Sequence, residues 1–313
     1  MLAFDHRKNT RVLTLCITIA LGLLSGTRQA QAMELWEPHL PGLDSGLAGA
    51  ALPPEGLYGV VNSYWAHGTK FDNAGNKTSL TLDALIVVPV VLWSTGVKVL
   101  GADYAVALSQ PYDYTNVKLA GESTLSNNGH WGSFNTVLVP GILSWTLPNA
   151  LYLKTSLLAL LNNASSSPSN PPANGGVGAG NGFSSWMPEL AVSWLKDNWN
   201  ITADMYYSFN NKNKDTGYKT GQIFEADYTA MKTMGKWGAG LGAYQVYQVT
   251  SDTGPLAADC EQSGCKARRF GIGPLVSYQF GGLNLSAQYA RDLSTRNAMG
   301  AQIFNVRMIV PFQ

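Results

Sequence analysis

The amino-acid sequence predicts an all-β protein, an antiparallel up-and-down β-barrel of about twelve strands that crosses a membrane. Three observations predict this fold. Apolar and polar residues alternate along many segments, which is the period of two of a β-strand. Short connections alternate with long polar ones, and aromatic residues concentrate near the ends of the predicted strands. A soluble β-sandwich has no reason to keep that alternation of connections along the whole chain.

The chain begins with features typical of an export signal. The segment Arg7–Arg11 is basic, Val12–Leu24 is apolar, and Ala30–Ala32 fits a cleavage site with small residues. We therefore expect residues 1–32 to be a signal peptide. Its apolar stretch is short for a membrane-spanning helix. Cys16 lies inside it and should be removed with it.

The composition excludes several classes of protein. Only 13% of the residues are charged, which is low for a soluble domain. Without residues 1–32, which hold four basic residues and one acidic residue, the formal net charge is −2. No basic patch is present, so we expect no nucleic-acid partner. No later segment reads as a membrane helix, and a closed barrel is the other structure that satisfies its backbone in lipid.

Residues 33–55 are rich in Pro and Gly and show no strand pattern. We expect a flexible leader, because such composition usually means poor order, and a short plug inside the barrel is the alternative. We expect residues 56–313 to form the outer-membrane β-barrel. Twelve strands are predicted at 56–67, 79–92, 97–109, 131–145, 149–161, 185–195, 199–210, 221–232, 237–249, 268–280, 283–291 and 300–312.

The connections between these strands fall into two groups. The short ones are Trp93–Gly96, Thr146–Pro148, Lys196–Asn198, Thr233–Lys236 and Gly281–Gly282. The long ones are 68–78, 110–130, 162–184, 211–220, 250–267 and 292–299. Short turns on one side and long polar loops on the other are typical of outer-membrane barrels.

Aromatic residues form two predicted belts, which match the girdles of membrane barrels at the two interfaces. Near the short turns lie Tyr58, Trp93, Trp145, Trp194, Trp199, Trp237, Phe280 and Phe312. Near the long loops lie Trp65, Trp131, Phe134, Trp186, Phe209, Phe224, Phe270 and Tyr289.

The last predicted strand, Gly300–Phe312, alternates apolar residues at Phe304, Val306 and Met308 with mixed ones. A terminal strand with an aromatic residue at or next to its end resembles the strand by which bacterial outer-membrane barrels are recognised and inserted. That resemblance implies the barrel-assembly machinery as a partner.

Four further segments carry a family resemblance: Pro53–Tyr58, Phe71–Asn76, Gly271–Tyr278 and Arg296–Asn297. With them, nearly the whole mature chain resembles the bacterial outer-membrane family associated with the meta-pathway of phenol degradation. The resemblance implies a channel in the outer membrane, in contact with membrane lipid, for passive uptake of small hydrophobic or aromatic solutes. It supplies no set of functional residues. The final Gln313 departs from the family, which usually ends near a terminal Phe.

Motifs for catalysis, cofactors and metals are absent from the sequence, which has no Walker loop, no dinucleotide fingerprint and no HExxH. The mature chain keeps His39, His67 and His130, and none pairs with a nucleophile in the sequence pattern. We therefore expect no enzyme, no cofactor and no metal. A lipid-modifying enzyme, or a structural or adhesive barrel acting through its long loops, is the alternative function.

The alternation of the strands assigns a sparse set of charges to the lumen, because an outward charge at mid-membrane would be costly. These residues fill a paired polar interior or line a constriction. We expect Arg307, together with Lys154, to reach across to the carboxylates of two neighbouring strands. The complete set is Asp83, Asp103, Lys154, Glu189, Asp204, Glu225, Asp227 and Arg307.

The remaining cysteines, Cys260 and Cys265, lie in one predicted long loop. The chain is exported, so its compartment permits disulfides. The short gap between them is closable, and Gly264 assists. The sequence therefore predicts a disulfide that stiffens this loop. A metal site is the weaker alternative, because two thiols without further ligands make a poor one.

Overall fold

The computed structural model describes residues 35–119, 129–173, 176–257 and 266–312. The predicted signal peptide and the predicted pair Cys260 and Cys265 lie outside the described residues. Within those ranges, no helix is long and apolar enough to cross a membrane.

The described residues form antiparallel strands, most of which agree with the predicted positions to within a few residues. The strands are β1 Gly56–Phe71, β2 Lys77–Val99, β3 Ala102–Ser109, β4 Tyr112–Leu119, β5 His130–Ser133, β6 Val137–Leu147, β7 Leu151–Leu160, β8 Ser185–Lys196, β9 Trp199–Asn210, β10 Ile223–Met234, β11 Trp237–Gln248, β12 Arg268–Phe280, β13 Leu283–Arg296 and β14 Met299–Phe312.

The strands close into a barrel, because β1 pairs with β14 on one side and with β2 on the other. Both β3 and β4 pair with β2, and they are joined in turn to β6 and β5. We count each of these two successive pairs, β3 with β4 and β5 with β6, as one interrupted strand. The wall is therefore the closed twelve-stranded antiparallel barrel that the sequence predicts.

Two connections differ from the prediction around β2. This strand runs past the predicted turn at Trp93–Gly96 and turns at Leu100 and Gly101, which have φ angles of 52° and 77°. Glycine favours this left-handed region, so Gly101 suits the turn. Residues 112–119, predicted within a long loop, form β4 because the upper half of the long strand β2 offers them a pairing edge. Pro111, which has no N–H, interrupts the strand below β4.

The outer surface carries the apolar band of a membrane barrel. Exposed aromatic side chains include Trp65, Trp131, Trp186 and Phe304 towards the long loops, and Trp93, Trp237, Phe280 and Phe312 towards the short turns. Along β14, Phe304 and Phe312 are roughly 27 Å apart at 3.4 Å per residue, which suits a tilted crossing of the apolar core. Phe134, predicted for the outer belt, is instead buried at 3% exposure.

The inner face of β2 is the opposite of the predicted one. Leu82, Ala84, Ile86 and Val88 are 0–4% exposed and share a face with Tyr64 of β1, which packs inside the barrel. Asp83, predicted in the lumen, lies on the outer face opposite His67. The reason is that apolar side chains of the N-terminal residues 35–43 pack in the lumen and require an apolar wall there.

We predict that β14 shows its register in spin-label accessibility. The relaxation of a nitroxide at Met308, which is 37% exposed, should be enhanced by collisions with lipid-soluble oxygen and not by a water-soluble nickel chelate. A label attached at Asn305, which is 3% exposed, should be shielded from both reagents in the intact protein. A slip of one residue would exchange the two patterns, because it moves every side chain to the other face.

Two long loops are joined by a buried carboxylate. Asp252 accepts hydrogen bonds from the Tyr218 hydroxyl at 2.5 Å, the Gly221 amide at 2.8 Å and the Gln248 side chain at 2.6 Å. Burial raises the pKa of Asp252 to about 6 from its ordinary value of 3.8. The folded loops therefore favour the protonated form of Asp252. Its contribution to their stability is complete below the ordinary pKa of 3.8 and is lost as the pH rises through about 6.

We predict that hydrogen-exchange protection of the Gly221 amide falls between pH 4.5 and pH 7.5 by roughly 10- to 30-fold, because the pKa of about 6 lies about 1.5 units above pH 4.5 and each unit corresponds to a tenfold change. The protection is measured after correction for the intrinsic exchange rate. Asp252→Asn, which cannot ionise, should remove most of the pH dependence. Equal protection at both pH values in the unmodified protein would contradict the assignment.

Candidate functional site

The lumen of the barrel is occupied by residues 35–55, which we name the inner segment. The composition of this segment predicts a flexible leader, with a short plug as the alternative. Instead Trp36, Leu40 and Ala50 are 6%, 6% and 0% exposed. The backbone of the segment forms hydrogen bonds with side chains of many strands, and these contacts order an irregular chain without secondary structure.

At the loop end of the lumen, the inner segment is fastened by an amide and by an ion pair. The side chain of Asn181 accepts from the Trp36 amide at 3.3 Å and donates to the Trp36 carbonyl at 3.0 Å. Arg269 of β12 pairs with Glu37 at 2.7 Å and with Asp292 of β13 at 3.1 Å. The guanidinium is therefore held between the segment and the wall.

At mid-height, a single carboxylate on β10 receives two amides of the inner segment. Asp227 accepts from the Gly42 amide at 2.7 Å and from the Asp44 amide at 2.8 Å. Beside it, His39 Nε2 lies 3.0 Å from Asp44 Oδ2, and the ring of His39 stacks on Tyr206 with centroids 4.0 Å apart. Tyr206 also donates to Asp44 at 2.7 Å.

Arg307 of β14 fastens the same part of the inner segment from another side. Its guanidinium donates to the carbonyl oxygens of Leu43 and of Ser45, the latter at 3.1 Å. It also donates to Asn62 at 2.9 Å. The prediction that Arg307 reaches across the lumen to the carboxylates of β9 and β10 is therefore wrong. The inner segment lies between them, and its carbonyl oxygens accept the hydrogen bonds of Arg307 instead.

Towards the short turns, hydroxyl and amide side chains receive the rest of the segment. Thr229 accepts from the Gly46 amide at 2.7 Å, and Asn200 donates to the Leu47 carbonyl at 3.0 Å. Ser193 accepts from the Ala50 amide at 3.0 Å, and Ser144 donates to the Ala50 carbonyl at 2.6 Å. The segment therefore runs through the lumen from the loop end to the start of β1.

The opposite side of the inner segment contacts an apolar wall formed by β1, β2 and β14. Its buried side chains are Tyr64, Ala66, Leu82, Ala84, Ile86, Val88, Ala301 and Ile303. Trp36 and Leu40 pack against this wall, and the Tyr64 hydroxyl donates to the Pro41 carbonyl at 3.0 Å. The cavity beside Trp36 and Tyr64 has a volume of about 10 Å³, which is room for about one water molecule.

The predicted lumen charges separate into two groups. Lys154 lies in the lumen in contact with Glu189 and 3.5 Å from Asp204, and Asp204 lies opposite Asp227 across the β9–β10 ladder. These residues, with Glu225 and Arg307, are brought together around the inner segment. Asp83 and Asp103 are not. Asp83 pairs with His67 on the outer face, and Asp103 is an exposed partner of Lys98 at the short-turn end.

Several residues of the site were missing from the sequence-based set. Glu37, His39 and Asp44 belong to the segment that composition describes as disordered. Asp292 lies in a predicted loop, and Arg269 lies in the predicted strand 268–280, where the structure buries it on the same face as Gly271 and Leu275. Only Arg269 had a signal in the sequence, namely its alternation with these neighbours.

The architecture defines a class of protein: a closed transmembrane barrel with an apolar outer band, two aromatic girdles and a lumen filled by its own N-terminal residues. This is an outer-membrane β-barrel. The chain belongs to the family described as "Putative MetA-pathway of phenol degradation", whose model matches residues 67–308.

A solved structure has the same fold. The COG4313 outer membrane channel from Pseudomonas putida F1 is 16% identical, with a TM-score of 0.70 over 84% of this chain and 97% of that chain. The translocator domain of the autotransporter NalP from Neisseria meningitidis is 12% identical, with a TM-score of 0.49 over 84% of this chain and 91% of that chain. No curated protein matches this sequence.

We predict that Arg307→Ala increases ion conductance in planar bilayers severalfold. Each hydrogen bond from a charged group contributes about 1.5–3 kcal/mol, so the substitution weakens the hold on the inner segment. Arg291→Ala, which removes an exposed arginine of β13, is the matched control and should leave conductance unchanged. Unchanged conductance in a folded Arg307→Ala variant, checked by heat-modifiable migration, would show that Arg307 does not hold the lumen closed.

Proposed function

We propose that this protein is an outer-membrane channel for passive uptake of small hydrophobic or aromatic compounds. The observation that carries the proposal is the apolar inner wall of β1, β2 and β14. Barrel interiors are ordinarily polar, and a polar lumen is sufficient to fill a barrel. The apolar part of this wall, which Asn62, Asn305 and Arg307 bound on β1 and β14, instead offers a surface on which an uncharged aromatic ring loses contact with water.

The two faces of the inner segment support a route along this wall. Polar and charged contacts hold the segment to β8, β9 and β10, and apolar packing joins it to β1 and β2. Dispersion and apolar packing are not directional, so a solute can replace them with similar contacts of its own. In this proposal, residues 35–55 act as a plug that excludes ions while a solute passes between the plug and the apolar wall.

The proposal includes the absence of an enzymatic role. The contacts of the His39 ring with described residues are with Asp44, Glu225 and Tyr206, two carboxylates and a phenol, and none of these is a Ser or Cys nucleophile. His67 lies on the outer face with Asp83, and His130 pairs across the ladder with Thr115, whose face is inward. His67 is therefore held on the opposite face of the wall from His130.

The same proposal covers assembly of the barrel. Strand β14 closes the barrel against β1, and its Phe312 is 51% exposed on the outer surface. A terminal strand with an exposed aromatic end suits recognition by the barrel-assembly machinery. Loops that bind another cell or protein would make the chain an adhesin, and no contact of the described loops specifically favours that function.

We predict that Ile86→Asn reduces the initial uptake of radiolabelled toluene into cells severalfold, because it puts an amide into the apolar wall. Met187→Asn is the matched control, since Met187 is equally buried but lies on β8, away from that wall. Equal uptake by cells with and without the protein would overturn the proposed function. Equal effects of the two substitutions on uptake would show that the solute does not pass along the apolar wall.

A further inference from the structure

We propose that His39, Asp44 and Asp227 form a binding site for one divalent first-row metal ion of the Zn²⁺ class, which fastens the inner segment to β10. The proposal concerns how the segment is held and does not depend on which solute the barrel passes.

The distances between the three side chains suit a metal site. One ligand atom from each residue lies within 4.8 Å of the other two, and His39 Nε2 is 3.0 Å from Asp44 Oδ2. Bonds of about 2.0–2.2 Å from zinc to nitrogen and oxygen place neighbouring ligand atoms about 3 Å apart. His39 and Asp227 are 7% and 3% exposed, and the Asp44 side chain is 23% exposed, which leaves an approach for an ion.

Glu225 supplies an independent observation that points to a ligand on His39. Both of its carboxylate oxygens, and His39 Nδ1, lack a hydrogen-bond partner among the described residues although they are buried. Glu225 Oε2 lies 3.6 Å from His39 Nδ1, on the other side of the ring from Asp44. Metal-binding histidines usually direct their second ring N–H to a carboxylate, which aims the other nitrogen at the metal.

The neighbouring groups hold the proposed ligands in place. The amides of Gly42 and Asp44 fix the Asp227 carboxylate, and Tyr206 orients Asp44 and stacks on the His39 ring. Each carboxylate oxygen has a second lone pair that it can donate to a metal ion.

The charges around the cluster also favour a cation. Asp44, Asp227 and Glu225 bring three carboxylates together at the imidazole. Of the nearby cations, Lys154 contacts Glu189 and Asp204, and Arg307 donates to carbonyl oxygens and Asn62. A divalent ion bound between His39 and the two aspartates would balance this buried negative charge. Imidazole together with carboxylate favours Zn²⁺ over Mg²⁺ or Ca²⁺.

The test is Zn²⁺ binding by isothermal titration calorimetry to the chelator-treated full-length mature protein in detergent. We expect one tight site per barrel, little competition from Mg²⁺, and a loss of affinity of about 10–100-fold in the isosteric variant Glu225→Gln. His39→Gln should abolish the tight site. His67→Gln, which removes the exposed histidine paired with Asp83, is the matched control and should keep it.

Several results would overturn the proposal: no tight site in the unmodified protein, loss of the site in His67→Gln, or equal affinity in the unmodified and Glu225→Gln proteins. If His39→Gln does not fold, X-ray absorption of the zinc-loaded unmodified protein still decides. One imidazole with oxygen ligands supports the site, and sulfur or several imidazoles contradict it.

Discussion

The irregular inner segment stays inside the barrel because the wall supplies the hydrogen-bond partners that water would otherwise supply. An unpartnered buried amide or carbonyl costs about 1–3 kcal/mol, and a segment without helix or strand exposes many of them. Asp227 and Ser193 accept hydrogen bonds from amides of this segment, and Arg307 donates to its carbonyl oxygens. Their positions explain why strands crossing an apolar membrane carry serine, aspartate and arginine on their inner faces.

This requirement acts mainly on one side of the lumen, although Tyr64 of β1 also donates to the Pro41 carbonyl from the other side. The backbone of residues 42–50 forms hydrogen bonds to β6, β8, β9, β10 and β14, while Trp36 and Leu40 pack against the apolar side chains of β1 and β2. Hydrogen bonds fix direction and register, whereas apolar packing permits sliding and substitution. The contacts on one side of the segment therefore fix its position, and the apolar contacts on the other side can be replaced by those of a solute. An apolar solute can enter on that second side at the lower free-energy cost.

Much of the barrel could be predicted from the sequence, because alternation and connection length are local properties. The strands β8, β9, β12 and β14 begin or end within a residue or so of their predicted positions, and Asp204 and Arg307 face inward as their alternation predicts. The local pattern was not sufficient for β2. Both of its faces are apolar, so alternation groups Leu82 with Ile86 but does not determine which face meets the lipid. What fills the lumen determines that choice.

The candidate site was less predictable because it joins parts of the chain that are far apart in sequence. Gly42 and Asp227 are separated by 185 positions, and Glu37 and Arg269 by 232. A composition rich in Pro and Gly predicts a flexible segment when that segment is isolated. It does not predict the conformation that the segment adopts in contact with the barrel wall. Once the barrel closes, each charge of the segment must be compensated by a charge or a donor on the wall. Wall charges such as Asp227 and Arg269 therefore cannot be assigned without the segment that they contact.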